Sequence, residues 1–102
     1  MKRLLCILSS CLFVLVLAAA GFTADGSALY AKCAGCHGAD GAKKALGTGQ
    51  PIKGMSAADA SKALSGYKAK TFGGEKKAIM ESQAQALSPE DIEALSAYIS
   101  KL

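Results

Sequence analysis

The sequence predicts an all-α protein, on the strength of three observations. Apolar residues recur every three to four positions in several segments, which is the helical period. Two of these segments open with the capping pattern Ser-x-x-Asp, starting at Ser56 and Ser88. No stretch alternates apolar and polar residues as a half-buried strand would. We therefore expect three to four helices joined by glycine-rich connections.

The first helix is predicted to begin with Asp25 or Ser27 as its N-cap and to run towards Gly35. A loop with repeated glycines follows and ends at the segment 51–54, which reads Pro-Ile-Lys-Gly. These residues favour turns, so this connection is expected to lack regular structure.

The second helix is predicted to open at the Ser56 cap and to end near Gly66. After the glycine pair at 73–74, a short third helix is expected from Glu75 to about Met80.

The last helix has the strongest local pattern. Ser88 is its predicted cap, Pro89 takes the first helical position, and Asp91 stands at the third. An apolar stripe follows along one face, made of Ile92, Leu95, Tyr98, Ile99 and Leu102.

Residues 1–23 are predicted to be a cleaved secretory signal peptide, leaving a single domain over 24–102. Residues 1–3 are Met-Lys-Arg, residues 4–20 are almost entirely apolar, and small residues follow. The alternatives are a permanent membrane anchor and a lipidated Cys11. The apolar run continues beyond Cys11 and leads into a compact domain, so we expect no stable membrane anchor.

The small net charge of the chain argues against a nucleic-acid partner. The whole chain has a net charge of +4. Residues 24–102 contain ten lysines, no arginine and eight acidic residues, which leaves +2. Nucleic-acid-binding domains have a much larger basic excess, so no nucleic-acid partner is expected.

Cys33-Ala34-Gly35-Cys36-His37 is the C-x-x-C-H pattern of covalent c-type haem attachment. Two thiols at this spacing can bond the two vinyl groups of one porphyrin, and the next residue brings an imidazole to the iron. The sequence therefore predicts one haem c bound by Cys33, Cys36 and His37, with His37 as an iron ligand.

Three other interpretations fit less well. A disulfide across two residues closes too short a loop to stabilise much. A thioredoxin-like redox pair would need a strand before the motif. A structural zinc site needs four ligands, whereas residues 24–102 contain two cysteines and one histidine.

His37 is the sole histidine of the sequence, so a second imidazole from this chain cannot bind the iron. The sixth ligand is then methionine, another weak donor, water or nothing. Met55 and Met80 are the methionines of residues 24–102. We favour Met80, because the chain between His37 and Met80 is long enough to pass around the ring. Met55 is expected to be a packing or surface residue.

The chain resembles class I cytochromes c, and most closely the monohaem cytochromes c-553 of sulfate-reducing bacteria. The resemblance covers nearly all of residues 24–102. It includes the C-x-x-C-H motif, the segment 51–54, the run Gly-Gly-Glu-Lys-Lys-Ala-Ile-Met over 73–80, and the segment 98–102. The family's methionine ligand falls on Met80, although Glu81 stands where the class often has proline.

The resemblance implies a monomeric periplasmic electron carrier, not an enzyme, with His37 and Met80 as the axial ligands. Formate dehydrogenase or hydrogenase is the implied donor, and an oxidase or another cytochrome the acceptor. It also implies that the Pro51 carbonyl accepts a hydrogen bond from the His37 ring. Tyr67 is a candidate partner for a haem propionate.

Seven lysines lie on segments near the predicted haem-binding elements and form either a partner-steering surface or ordinary solvated faces: Lys32, Lys43, Lys44, Lys68, Lys70, Lys76 and Lys77. Two other functions remain open at this point. One is a haem sensor or enzyme with an open sixth coordination site, and the other is a tethered haem subunit of a larger redox complex.

Overall fold

A computed structural model describes residues 24–102. Within this range the elements are α1 (Gly26–Tyr30), α2 (Ala34–His37), a 3₁₀ turn (Ala45–Gly47), α3 (Ala57–Ala69), α4 (Lys77–Gln85) and α5 (Pro89–Ile99). No strand occurs among these residues, and the all-α prediction is confirmed. None of the described helices is long and apolar enough to cross a bilayer. The predicted signal peptide, residues 1–23, lies outside the described residues.

The first predicted helix is in fact two short helices. Asp25 caps α1, and its carboxylate accepts hydrogen bonds from the N–H groups of Ser27 and Ala28. The helix then ends at Tyr30, because the Cys33 N–H bonds back to the Tyr30 carbonyl at 2.8 Å in a tight turn. The expectation of one helix running to Gly35 was therefore wrong.

Helix α3 begins as predicted, since the Ser56 hydroxyl accepts the Asp59 N–H at 3.1 Å. It ends three residues beyond Gly66, at Ala69. Lys70 closes it in the left-handed conformation, with φ at 61°.

Helix α4 is displaced from its prediction, which placed it over residues 75–80. It starts at Lys77, because Glu75 and Lys76 form a turn in which the Lys77 N–H bonds to the Gly74 carbonyl at 3.2 Å. It continues to Gln85 through residues with good helix propensity. Met80 therefore lies within the helix rather than at its end.

Helix α5 has the predicted capping box. The Ser88 hydroxyl accepts the Asp91 N–H at 3.1 Å, and the Asp91 carboxylate accepts the Ser88 N–H at 3.0 Å. Three residues of its predicted stripe, Ile92, Leu95 and Ile99, are buried. This helix packs against both α1 and α3, while α4 packs against α3.

The crossing of α1 with α5 is close because of Gly26. A Cβ at this position would lie 2.3 Å from the Ala94 carbonyl oxygen and 2.9 Å from the Tyr98 Cβ. The Tyr30 and Tyr98 rings meet in the same contact, with centroids 5.3 Å apart. The first and last described helices are thus held together.

The buried core is small and lies between α1, α3 and α5. It consists of Tyr30, Ala60, Leu64, Leu87, Ile92, Leu95 and Ile99. Three large apolar side chains are left substantially exposed, Leu46 by 51%, Phe72 by 42% and Ile79 by 50%. The helices alone therefore do not cover all of the apolar surface.

Candidate functional site

Helix α2 brings the predicted attachment residues onto a single helical turn. Cys33 stands just before the helix, and Cys36 and His37 are its last two residues. The His37 N–H bonds to the Cys33 carbonyl at 2.9 Å, which closes the turn. Both thiols are unpaired, Cys33 half-buried and Cys36 exposed. Two thiols and an imidazole are thus presented together.

The backbone after His37 is held in place from two sides. The Tyr30 hydroxyl donates to the Gly38 carbonyl at 2.5 Å, and the Lys43 N–H donates to the His37 carbonyl at 3.0 Å. Gly38 has φ at 85°, a left-handed conformation in which a side chain would be strained. The end of α2 is therefore fixed by its neighbours.

The His37 imidazole is set up as a neutral ring. Its Nδ1 atom is buried and has no hydrogen-bond partner in the described part of the chain. Burial lowers the pKa of the imidazole below its usual value, which favours the neutral form. Neutral imidazole is the form that binds metal ions.

The predicted hydrogen bond from His37 to the Pro51 carbonyl is not formed in this structure. The segment that contains Pro51 is held elsewhere, because the Gly41 carbonyl accepts the N–H groups of Ile52 at 2.9 Å and Lys53 at 3.0 Å. Pro51 itself is exposed.

The Cys33 thiol is held in its protonated form. Burial raises the pKa of this thiol, the nearby Cys36 adds to the increase, and Lys32 opposes it. Cys33 also contacts the Leu29 carbonyl, with its sulfur 3.9 Å from the oxygen. The two thiols therefore occupy different environments, one against the core and one facing solvent.

Met80 lies on a separate element from the attachment motif, in the first half of α4. Its side chain is half-buried and packs against the core. Met55 is also half-buried against the core, which agrees with its predicted packing role. The structure thus groups Cys33, Cys36 and His37, and presents Met80 from a different helix.

Three further residues support the site and were not assigned these roles from the sequence. The Tyr30 hydroxyl fixes Gly38, the Lys68 ammonium donates to the Leu87 carbonyl, and Gln85 donates to the Lys68 carbonyl. The last two contacts join residues far apart in the chain, and no sequence pattern marks them. Lys68, expected on a solvated or steering surface, is instead half-buried.

Comparison with known proteins identifies the class. The cytochrome c family model matches residues 23–102, and the chain belongs to the cytochrome c family. Members of this family carry a covalently bound c-type haem with its iron and take part in electron transport. The chain is accordingly a c-type haem protein.

Within that family, the chain is similar to several proteins named cytochrome c-553. The chain is 45% identical to cytochrome c-553 of Nitratidesulfovibrio vulgaris (strain Miyazaki F) over the full length of both proteins. It is 45% identical to cytochrome c-553 of Desulfomicrobium norvegicum, over 72% of this chain and 91% of that protein. It is 44% identical to cytochrome c-553 of Helicobacter pylori, over 87% of this chain and 90% of that protein.

The residues on and around α2 fit a covalent haem. The His37 Nδ1 atom is buried without a hydrogen-bond partner among the described residues, and an unsatisfied buried atom of this kind is expected where a further group belongs to the site. The unpaired thiols of Cys33 and Cys36 are available for two thioether bonds. Phe72 before α4 and Ile79 within it are exposed apolar side chains, which a large apolar group could remove from water.

Proposed function

We propose that residues 24–102, after removal of residues 1–23, form a periplasmic one-electron carrier. Cys33 and Cys36 would attach the haem, and His37 and Met80 would bind its iron. The observation that carries this proposal is the placement of both unpaired thiols and a half-buried imidazole on the single turn of α2.

Each residue has a distinct task in this proposal. The haem supplies iron that alternates between the ferrous and ferric states. Cys33 and Cys36 keep it in place, and the neutral His37 ring provides a nitrogen ligand on one side. The Met80 thioether takes the remaining position, which excludes small molecules from the iron and favours its reduced form. The chain then exchanges electrons without binding a substrate.

The ligand assignment is tested by absorption spectroscopy of the exported protein in both oxidation states. The unmodified protein is expected to show a weak far-red band in the ferric state and no reaction of the ferrous state with carbon monoxide. In Met80→Ala the far-red band should disappear and carbon monoxide should bind, because the sixth position is opened.

Met55→Ala is the matched control, because Met55 is also half-buried against the core. It should lose some stability but retain the band and the indifference to carbon monoxide. A far-red band that survives in Met80→Ala and disappears in Met55→Ala would contradict the assignment. Ready carbon monoxide binding by the unmodified protein would indicate an open site and favour a sensor or enzyme.

The proposal also includes the redox partners of the carrier. Formate dehydrogenase or hydrogenase is the proposed donor, and an oxidase or another cytochrome the proposed acceptor. Six of the seven lysines near the haem-binding elements are exposed: Lys32, Lys43, Lys44, Lys70, Lys76 and Lys77. Exposed lysines of this kind would attract an acidic partner into a short-lived contact, which suits a mobile carrier.

A further inference from the structure

The last turn of α3 is joined to the far end of α4 by two hydrogen bonds. The Lys68 ammonium donates to the Leu87 carbonyl. The Gln85 side-chain amide donates to the Lys68 carbonyl at 2.8 Å. Lys68 therefore contacts both the last residue of α4 and the connection that follows it.

The same turn of α3 also holds the segment that leads into α4. A Cβ on Gly66 would lie 2.6 Å from the Phe72 Cβ, and one on Gly73 would lie 2.7 Å from the Tyr67 ring. The Phe72 and Tyr67 rings pack edge to face, with centroids 5.1 Å apart. The Thr71 N–H bonds to the Gly66 carbonyl at 2.9 Å. Helix α4 is thus tied to α3 before its start and after its end.

Lys68 is unusual among the lysines of residues 24–102, because its side chain is half-buried while the other nine are exposed. In this part of the chain the sole lysine in an ion pair is Lys53, with Asp40 at 3.8 Å. The Lys68 ammonium is instead directed at a carbonyl just beyond the C-terminus of α4. A positive charge at that end of a helix is favourable, and a charged donor makes a stronger hydrogen bond than a neutral one.

We propose that Lys68, with Gln85, is a positioning residue that fixes α4 against α3 and thereby holds Met80 at the iron. The inference rests on Met80 as ligand, the assignment made in the proposed function. Met80 is five residues before Gln85 on α4, so movement of the helix end would move the thioether. The two hydrogen bonds of Lys68 and Gln85, which we call the clamp, would then set how readily the thioether leaves the iron.

The test compares Lys68→Met with Lys62→Met in the haem-loaded protein. Both changes remove an ammonium from α3 and keep an apolar stem, but the Lys62 side chain is exposed and makes no hydrogen bond with the described residues. Amide hydrogen exchange across α4 is expected to be on the order of 10-fold faster in Lys68→Met than in Lys62→Met, the effect of losing one charged hydrogen bond. Gln85→Ala should accelerate the same amides to a smaller extent.

A second readout connects the clamp to the ligand. Carbon monoxide should bind ferrous Lys68→Met several-fold faster than ferrous Lys62→Met, because the thioether leaves the iron more often. Equal rates of amide hydrogen exchange across α4 in the two variants would overturn the proposal that the clamp holds α4 against α3. Faster exchange with unchanged carbon monoxide binding would overturn its link to Met80.

Failure of the ligand assignment is recognised separately, in the unmodified protein. A missing far-red band and ready carbon monoxide binding there would remove Met80 from the iron, and the positioning role would fall with it. The hydrogen-exchange comparison would still report whether Lys68 holds α4.

Discussion

Tyr30 combines a packing role and a polar role in one side chain. Tyr30 is 3% exposed and its ring packs against Tyr98, while its hydroxyl donates to the carbonyl of Gly38, the residue after His37. Burial raises the pKa of Tyr30, and charge on Cys33, Tyr98 and Asp40 raises it further. The folded protein therefore resists ionisation of this phenol.

This raised pKa gives a pH dependence of defined sign. Below about pH 10, the ordinary value, Tyr30 is neutral in both the folded and unfolded chains and does not change stability with pH. Above it, the unfolded chain releases the proton first, so the free energy of unfolding falls as the pH rises towards the folded pKa. Denaturant unfolding of Tyr30→Phe between pH 8 and 11 should show a smaller alkaline decrease than the unmodified protein.

At neutral pH the same variant should be less stable by about 1 kcal/mol, because the Gly38 carbonyl loses its partner. Tyr67→Phe is the control, since Tyr67 is only half-buried and its ring packs on Phe72. If the free energy of unfolding fell equally with pH in Tyr30→Phe and in the unmodified protein, Tyr30 would not contribute to the alkaline loss of stability.

At the scale of elements, the contact between α1 and α5 depends on the absence of a side chain at residue 26. Gly26→Ala would place a methyl group 2.3 Å from the Ala94 carbonyl, and backbone must move to relieve that overlap. The free energy of unfolding is expected to fall by about 1–3 kcal/mol, as in other overpacked sites, measured by denaturant titration.

Gly74→Ala is the matched comparison for this change. A Cβ on Gly74 meets nothing within 4 Å, and its backbone is not left-handed. That variant should be as stable as the unmodified protein or slightly more stable, through lower entropy of the unfolded chain. Equal effects of the two substitutions would argue that helix contact does not explain the glycine at 26.

Helix starts could be predicted where a side chain forms the cap, and not where the backbone alone decides. Ser56 and Ser88 each accept an N–H three residues ahead, as their sequence pattern indicates. The break after Tyr30 has no such marker, because Ala31 and Lys32 are good helix formers and the turn is closed by the Cys33 backbone. Tertiary contacts of this kind are not encoded in local propensity.

The candidate site likewise contains features that could be predicted from the sequence and features that could not. The spacing of Cys33, Cys36 and His37 is a local pattern that identified these three residues, but it did not predict the separate helix α2 that presents them. The clamp through Lys68 joins positions 19 residues apart in the chain, so a lysine there is indistinguishable in sequence from a solvated one. The Pro51 expectation came from resemblance and not from a local pattern, and the structure places that residue at the surface.

At the scale of the whole described range, residues 24–102, nine of the ten lysines are exposed, and Lys53 alone among them is in an ion pair. The one ion pair within the described range joins Lys53 to Asp40, and both side chains are exposed by more than half. Exposed pairs of this type contribute little to stability. Two haem propionates would offset the net charge of +2 on residues 24–102, so attraction of a partner would depend on where the exposed lysines lie.

The second-order rate of electron transfer with an acidic redox protein is expected to fall as salt is added. Between about 0.01 M and 1 M ionic strength the screening length shrinks from about 30 Å to about 3 Å. A decrease of about tenfold or more is expected if the lysines steer the encounter. Stopped-flow measurement with an uncharged small reductant provides the control, whose rate should stay nearly constant. A salt-independent rate with the protein partner would mean that the lysines only solvate the surface.

The crossing at Gly26 also has a consequence for the order of events during biogenesis. Helix α1 finds its partner in the last helix of the chain, so this contact cannot form before residues 94–98 are present. In a chain that emerges N-terminus first, α2 is therefore present for a long interval before the contact between α1 and α5 can form. The contact between α1 and α5 therefore cannot restrict access to the thiols of Cys33 and Cys36 until the last helix is present.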